Sequence, residues 1–249
     1  VPYAAGGGTD TVARLIGERM SRTLGQTVMI ENVVGGGSTL ANDRVARSTP
    51  DGSTVLINHV ALLAAPSLFT NLRYDTKTAF EPIGLVNNAP MVLIGRKSIP
   101  GEGPKDFVAW IKAQGDKANF AHGGIGTNSH LCAVMTGNVL GFKPTVAAYR
   151  GSAPAIADLL AGQIDLLCDQ VTNALPQIQA GTLHGIAITS SERLEQLKDV
   201  PTTAELGMPE VSYSMWHGLY VAKGTPKETI TALNAALRGA LSDRVLLEK

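Results

Sequence analysis

The segment VPYAAGGGTD, residues Val1 to Asp10, decides how this chain is interpreted. A short apolar run breaks into glycines and opens into a helical pattern that carries Val12 and Ile16 on one face. A helix start has unpaired backbone N–H groups and a partial positive charge, so a glycine-lined start can bind an anion. We expect ligand contacts throughout this segment, from Tyr3, Ala5, Gly6, Gly7, Gly8, Thr9 and Asp10.

Two members of this segment have more specific expectations. We expect Gly7 to need backbone angles that a β-branched residue resists. Asp10 is anionic and would repel a bound carboxylate, so we expect it to shape the loop from the first helical turn. A tight turn with Asp10 at its own helix start is the alternative without a ligand.

The same pattern recurs at NFAHGGIGTNS, residues 119–129, and at VAAYRGS, residues 146–152. Two such helix starts facing each other would hold a molecule with a carboxylate at each end. The candidate ligand contacts here are Thr127, Asn128, Ser129, His130, Tyr149, Arg150 and Gly151. The alternatives are N-capping by Asn128 or Ser129, a structural role for His130, and a hinge role for Tyr149 and Arg150.

Further candidates lie at the ends of expected strands. His59 follows the run Val55–Ile57 and is a candidate for the binding cleft. Asp169 ends the run Ile164–Cys168, where it can accept from an ammonium or hydroxyl group, or cap the next helix. Trp216 and Tyr213 either wall the pocket or fill the core.

Composition excludes several classes of protein. Lys+Arg and Asp+Glu both number 21, so the zero net charge argues against nucleic acid or an anionic membrane as the main partner. With 44% hydrophobic residues, the chain has no apolar run long enough to span a bilayer. Cys132 and Cys168 lie in different expected elements, and we interpret them as buried free thiols.

Strand and helix patterns alternate regularly, which predicts an α/β fold with parallel sheets and right-handed crossovers. A helix is expected from about Asp10 to Leu24, and another from Lys227 onward. The expected strands are 28–30, 55–57, 91–94, 119–121, 146–149, 164–168, 185–188 and 218–222. The chain begins at Val1 inside an apparent strand and ends at Lys249 in a helix-like segment, so we expect both ends to be trimmed and a signal peptide to be missing.

We expect two lobes. One is discontinuous and consists of residues 1–95 and 219–249; the other is residues 96–218, inserted between them. The connecting segments, near 91–98 and 216–222, would form the hinge. Ligands of such folds bind outside the carboxyl ends of the strands, where the glycine loops would lie.

At this point a set of motifs resembles a known family. The motifs, in order, are VPYAAGGGTD (1–10), EN (31–32), TPDGST (49–54), YD (74–75), GTNSHL (126–131), YRGSAPA (149–155), DLLAG (158–162) and VPTTAELG (200–207). Together they resemble the periplasmic substrate-binding proteins of tripartite tricarboxylate transporters, the Bug or TctC family, over nearly the whole chain. The family commonly has Lys where this chain has Arg150, whose guanidinium grips a carboxylate bidentately.

The resemblance implies a two-lobed, Venus-flytrap fold of the type II periplasmic-binding class. It implies a receptor that captures a small carboxylate in an interlobe cleft: a di- or tricarboxylate, an acidic amino acid or an aromatic acid. Its partners would be the membrane permease subunits, and its location the periplasm. The loop 3–10 would hold one carboxylate, partly through ordered waters, and the loop 126–130 would take the other polar end.

An enzyme is disfavoured. The five histidines show no His-x-x-x-His pair, and two cysteines make no zinc cluster, so we expect no catalytic residues, metal or cofactor. Gly6-x-Gly8-x-x-Thr11 with Glu31 imitates a dinucleotide-binding fingerprint, which leaves an NAD(P)-dependent enzyme as a remote alternative. The nearer alternative is a monomeric receptor that presents its ligand to a sensor kinase.

Overall fold

The computed structural model describes residues 1–243 of the chain. The helices are α1 (Gly8–Leu24), α2 (Thr39–Ala46), α3 (Val60–Leu68), α4 (Pro104–Gln114), α5 (Asn128–Leu140), α6 (Ser152–Leu160), α7 (Val171–Gln179) and α8 (Lys227–Leu241). The strands are β1 (Leu56–Asn58), β2 (Phe80–Arg96), β3 (Asn119–His122), β4 (Thr145–Ala148), β5 (Leu166–Gln170), β6 (Leu183–Ile188) and β7 (Ser214–Ala222). The fold is mixed α/β, as predicted. None of the helices in residues 1–243 is both long and apolar enough to cross a membrane.

The chain forms two compact units. Unit 1 comprises Val1–Asn88 and Trp216–Lys249, and unit 2 comprises Ala89–Met215. The first part of β2 belongs to unit 1 and its last part to unit 2. The assignment of a hinge to 91–98 and 216–222 stays a prediction.

In unit 1, β7 lies between β1 and β2. β1 is antiparallel to β7, with Leu56 opposite Tyr220. Because side chains alternate across a strand, Ile57 and Leu56 pack on opposite faces of this sheet. Ile57 joins the core formed by α1 and α8, and Leu56 joins the core formed with α2. This arrangement fixes the start of α1 and the end of β1 within one unit.

In unit 2, the strand order is β6, β2, β5, β3, β4. β3 is parallel to β4 and to β5, whereas β2 is antiparallel to β5 and to β6. Leu93 faces one core, and its neighbours Val92 and Ile94 face the other. The all-parallel expectation is therefore wrong for β2, which enters this sheet from the other unit rather than through a helical crossover.

Most expected elements are confirmed, with shifted ends. The first helix begins at Gly8, two residues before the expected start, and ends at Gly25 in the left-handed conformation. The patterns gave no expectation for α3, which follows β1 directly. The last helix is described to Leu241, and the expected helical end at Lys249 lies outside the described residues.

Two expected strands are wrong. Residues 1–7 and 28–30 form no strand. Val28 and Ile30 pack on Gly17 of α1 while Met29 is exposed, which produces strand-like alternation without a sheet partner. The backbone of this segment is held instead by the hydroxyl of Ser21, which accepts from the Val28 N–H.

The two cysteines are not free thiols. Cys132 of α5 and Cys168 of β5 form a disulfide, with their Cα atoms 6.1 Å apart. Both side chains are fully buried in one core of unit 2. The free-thiol expectation failed because the two residues meet only through the packing of α5 on β5.

Candidate ligand-binding site

The start of α1 is the first part of the candidate site. Gly7 is the N-cap, and no side chain caps this helix. Gly7 has φ −80° and ψ 167°, which any residue can adopt, so the expectation of special backbone angles there is wrong. The left-handed residue of this loop is Gly6, at φ 80°. Ala5 and Gly6 are exposed, whereas Gly8 and Thr9 are buried.

Asp10 organises this loop, as expected. One of its carboxylate oxygens accepts from the Gly6 N–H at 2.9 Å and from Arg14 Nε at 2.9 Å. The other accepts from Asn32 Nδ2 at 2.9 Å. Burial acts to raise the pKa of Asp10, but the hydrogen bonds from Arg14, Gly6 and Asn32 outweigh it and lower that pKa. The carboxylate is therefore ionised and fully used inside unit 1.

Tyr3 and His59 meet at the end of β1. Their rings stack with centroids 5.0 Å apart, and both residues are buried. The Tyr3 hydroxyl donates to Asn58 Oδ1 at 3.3 Å, and Asn58 Nδ2 donates to Asn42 Oδ1 at 2.8 Å. His59 is the N-cap of α3, and its Nδ1 accepts from the Ala61 N–H at 3.2 Å. Burial, then the neighbouring His217, keep the pKa of His59 well below its usual range.

His217 of β7 supports Thr9. The backbone N–H of His217 donates to Asn87 Oδ1, which fixes the orientation of that amide. The ring Nδ1 lies 2.9 Å from the same oxygen and must therefore carry the proton. Nε2 is then an acceptor and receives the Thr9 hydroxyl at 3.0 Å. Burial lowers the pKa of His217 to about 4, so the ring is neutral near pH 7.

In unit 2, the start of α5 carries the second part of the candidate site. The N-cap is Thr127, whose Oγ1 accepts from the His130 N–H at 3.4 Å. The alternative of capping by Asn128 or Ser129 is therefore wrong. Ser129 Oγ instead accepts from the Gly123 N–H at 2.9 Å and closes the loop. Asn128 is buried, and its Nδ2 has no hydrogen-bond partner within residues 1–243.

Two histidines flank this loop. His122 Nδ1 accepts from the Gly124 N–H at 3.1 Å, and His130 Nδ1 accepts from the Gly126 N–H at 3.2 Å. The two ring centroids are 4.6 Å apart. Burial, followed by the neighbouring His130, lowers the pKa of His122 to about 4, and burial also lowers the pKa of His130.

The starts of α6 and α7 lie next to that loop. A side chain at Gly123 would meet the backbone of Gly151 at 3.2 Å, so this close approach requires glycine. Gly151 is the N-cap of α6. Asn173 Nδ2 of α7 donates to Ser152 Oγ and to Asp169 Oδ2, each at 3.2 Å. Unit 2 thus brings three helix starts together.

Asp169 has an unusual environment at the end of β5. It is 2% exposed, and burial raises its pKa to about 6 against the lowering effect of bonds from Gln170, Asn173 and Ser152. The N-cap of α7 is Gln170, so the capping alternative for Asp169 is wrong. Its ligand role stays a prediction.

Tyr149 and Arg150 differ in how far they are committed. The Tyr149 hydroxyl donates to Asp158 Oδ2 at 2.6 Å, which together with burial raises the pKa of Tyr149 to about 12. Arg150 is exposed and forms no ion pair within the described part of the chain. Tyr213 packs against the unit 2 core and donates to the Asn128 carbonyl at 3.0 Å, as a core residue does.

The loop glycines do not supply the free amides that the sequence suggested. The N–H groups of Gly6, Gly123, Gly124 and Gly126 all have internal acceptors. The amides without an acceptor in residues 1–243 belong to the first helical turns instead: Gly8, Thr9, Asp10, Asn128 and Ser129. The anion-binding donors are thus one to three residues further along the chain than expected.

Sequence reasoning missed several residues that shape these surroundings. They are Asn42, Asn58, Asn87, His122, Ser152, Asn173 and His217. His122 and Asn58 stand at strand ends, the signal that selected His59 and Asp169, so that signal applied consistently would have found both. Asn87 and His217 are 130 residues apart and carry no local signal.

Known proteins share this fold over nearly the whole chain. BugD, a periplasmic binding protein, is 43% identical with a TM-score of 0.95, over 99% of this chain and 83% of its own. MatC (Rpa3494) from Rhodopseudomonas palustris with bound malate is 39% identical, TM-score 0.93, over 99% and 84%. R. palustris Rpa4515 with adipate is 30% identical, TM-score 0.93, over 98% and 82%.

A curated relative from Agrobacterium vitis, the UPF0065 protein in the TAR-I ttuE-ttuC' intergenic region, is 40% identical over 100% of this chain and 72% of its own length. The dinucleotide-binding alternative fails because residues 1–7 form no strand before α1. The model of the tripartite tricarboxylate transporter family receptor matches residues 12–248. The chain therefore belongs to this family of periplasmic solute-binding receptors, whose two-lobed members are not enzymes.

Proposed function

We propose that this chain is a periplasmic receptor that captures a small dicarboxylate and delivers it to a membrane permease of the tripartite tricarboxylate type. Membership of the receptor family supports a solute-binding role. The malate and adipate bound to two relatives support a dicarboxylate as the ligand class. The disulfide supports an oxidising compartment, as the periplasm is.

The observation that carries the proposal is the set of free amides in the first turns of α1 and α5. Those of Gly8, Thr9, Asn128 and Ser129 have no acceptor in residues 1–243. Each helix-start interaction contributes about 0.3–2 kcal/mol, whereas micromolar affinity needs about 8 kcal/mol. Several donors must therefore act together, and one carboxylate at each helix start is the arrangement that we propose.

A ligand screen tests this function directly. The protein is unfolded and refolded to remove co-purified ligand, then screened by thermal shift against malate, adipate, citrate, glutamate and benzoate. We expect a dicarboxylate to give the largest shift and a micromolar dissociation constant by calorimetry. No binding to any of the five acids would contradict the proposal.

Arg150 offers a sharper second step. It is exposed and free of ion pairs within the described residues, so its guanidinium is available to a second carboxylate. We expect Arg150→Ala to weaken a dicarboxylate more than benzoate. An equal loss for both acids would place Arg150 away from the ligand.

Delivery to a permease is the finer part of the proposal. Co-purification of the receptor with the permease subunits, with and without the best ligand, tests it. Ligand-dependent capture of a sensor kinase in place of the permease would overturn the delivery role and leave the binding role intact.

A further inference from the structure

His122 is a strand-end residue whose ring is almost completely buried, with 2% of its surface exposed. Its Nδ1 accepts from the Gly124 N–H, two residues along the chain. His130, from the first turn of α5, repeats this arrangement with the Gly126 N–H. Each ring thus fixes one glycine amide of the loop between β3 and α5.

These bonds determine where the imidazole protons lie. A nitrogen that accepts from a backbone N–H must have a lone pair, so the proton of the neutral ring lies on Nε2. Protonation at Nδ1 would oppose two N–H groups and break the bond to the loop. The loop conformation therefore requires both rings to be neutral, with Nε2–H as the remaining donor of each.

The charges around the two rings agree with neutrality. Helix α5 carries no acidic or basic residue besides His130. The neighbouring elements contribute Lys143, which lines the same groove as His130, and the groups Tyr149, Arg150, Asp158, Asp169 and Glu210. Within residues 1–243, no carboxylate forms an ion pair with either imidazole, so nothing in the described structure holds a positive charge there.

Three donors of unit 2 are consequently left without an acceptor in the described chain: Nε2–H of His122, Nε2–H of His130 and Nδ2 of Asn128. A buried donor without an acceptor is costly, which favours an external acceptor at this place. We propose that His122 and His130 bind one carboxylate of the ligand as a pair of neutral Nε2–H donors, with Asn128 Nδ2 beside them. This inference rests on the proposed function and adds His122 to the residues that determine specificity.

Substitution by the two amides tests the inference because each imitates one ring nitrogen. His122→Asn keeps an acceptor near Nδ1 for the Gly124 N–H but removes the Nε2 donor. His122→Gln keeps a donor near Nε2 but removes the acceptor. Calorimetry with the best acid of the panel above measures the affinity of both variants and of the same pair at His130, which is less buried and tolerates substitution better.

We expect the Asn variants to lose roughly 10- to 100-fold in affinity, as for a lost hydrogen bond to a charged group, and the Gln variants to lose clearly less. A loss with Gln as large as with Asn, or no loss with either, would overturn the inference and assign the rings a purely structural role. His184→Asn is the matched control, since that ring packs on Phe107 and contacts the Lys97 carbonyl instead.

Proton counting provides an independent readout. Calorimetry of the unmodified protein at pH 7 in phosphate and in Tris, which differ in ionisation enthalpy, reports protons taken up on binding. Neutral donors predict no net uptake, and uptake of about one proton per ligand would overturn the inference. If the unmodified protein binds none of the acids, the proposed function fails with it; binding that survives the Asn substitutions removes this inference alone.

Discussion

Each unit ends a strand in a histidine that holds a loop amide, yet the two units use the second histidine differently. His59 and His122 both accept, through Nδ1, from the N–H two residues along. In unit 1 the second ring, His217, is centred 5.7 Å from His59; in unit 2 the second ring, His130, is centred 4.6 Å from His122. Asn87 places the His217 proton on Nδ1, whereas Gly126 places the His130 proton on Nε2.

This difference separates a supporting role from a binding role. His217 Nε2 receives the Thr9 hydroxyl, so that ring orients a residue of the first turn of α1. His130 Nε2 has no acceptor in the described chain and is open to a ligand. The backbone partner of a ring, rather than its residue type, assigns the role.

The largest expected effect concerns the disulfide, which links α5 to β5 in unit 2. Replacing Cys132 and Cys168 together by Ala should lower the free energy of unfolding by about 4 kcal/mol, as the chain-entropy estimate gives for a loop of 36 residues. Urea unfolding of the oxidised protein and the double variant measures the difference. A loss below about 1 kcal/mol would mean that the crosslink leaves the unfolded chain almost unconstrained.

Acid should act on both units through their neutral histidines. His122 and His217 have folded pKa values of about 4, below the ordinary 6.5, because of burial. The unfolded chain then binds more protons between pH 6.5 and pH 4, so stability is full above pH 6.5 and is lost as the pH falls through this window. We expect a loss of about 2 kcal/mol per histidine between pH 7 and pH 5.

Unfolding in urea at a series of pH values measures this slope, and variants assign it. His122→Asn should remove the unit 2 contribution and leave that of His217. A slope that is unchanged in the variant would contradict the assignment of His122 as a buried, neutral ring.

The smallest effect compares the two buried carboxylates, one in each unit. The hydrogen bonds of Asp10 lower its pKa, whereas burial raises the pKa of Asp169 to about 6. At pH 7 without ligand, Asp10→Asn should lower the free energy of unfolding by about 1–2 kcal/mol. Asp169→Asn should leave it unchanged or raise it, because ionised Asp169 is destabilised by burial.

The pH dependence has opposite signs for these two groups. The contribution of Asp10 is present above its unfolded pKa and is lost as the pH falls through its lower folded pKa. Stability limited by Asp169 instead improves as the pH falls below about 6, since the folded state then takes up a proton first. Destabilisation by Asp169→Asn comparable to that of Asp10→Asn would contradict this contrast.

Local patterns were sufficient for the elements that begin at glycine loops. The starts of α1, α5 and α6 follow from small residues before a helical period, and chemistry at the residue level gave the loop-shaping role of Asp10. The same local patterns failed at Val28–Ile30, where alternation arises from packing on α1 rather than from a sheet.

Contacts between distant residues could not be predicted in this way. The disulfide joins residues 36 apart, and His217 meets Thr9 across 208 positions. The loop amides were expected to face a ligand, but the side chains of Asp10, Ser129, His122 and His130 bind them first. Such competition for a backbone N–H is decided by three-dimensional proximity, which periodicity does not contain.

The crosslink between Cys132 and Cys168 also determines how unit 2 responds to cutting. Between these cysteines lie Lys143 and Arg150, both exposed and both suitable for trypsin. A single cleavage at either residue would leave two polypeptides tied by sulfur, which migrate as one band on a gel until a reductant is added. The nicked receptor would retain α5 and β5 side by side, and with them the residues at the ends of both elements.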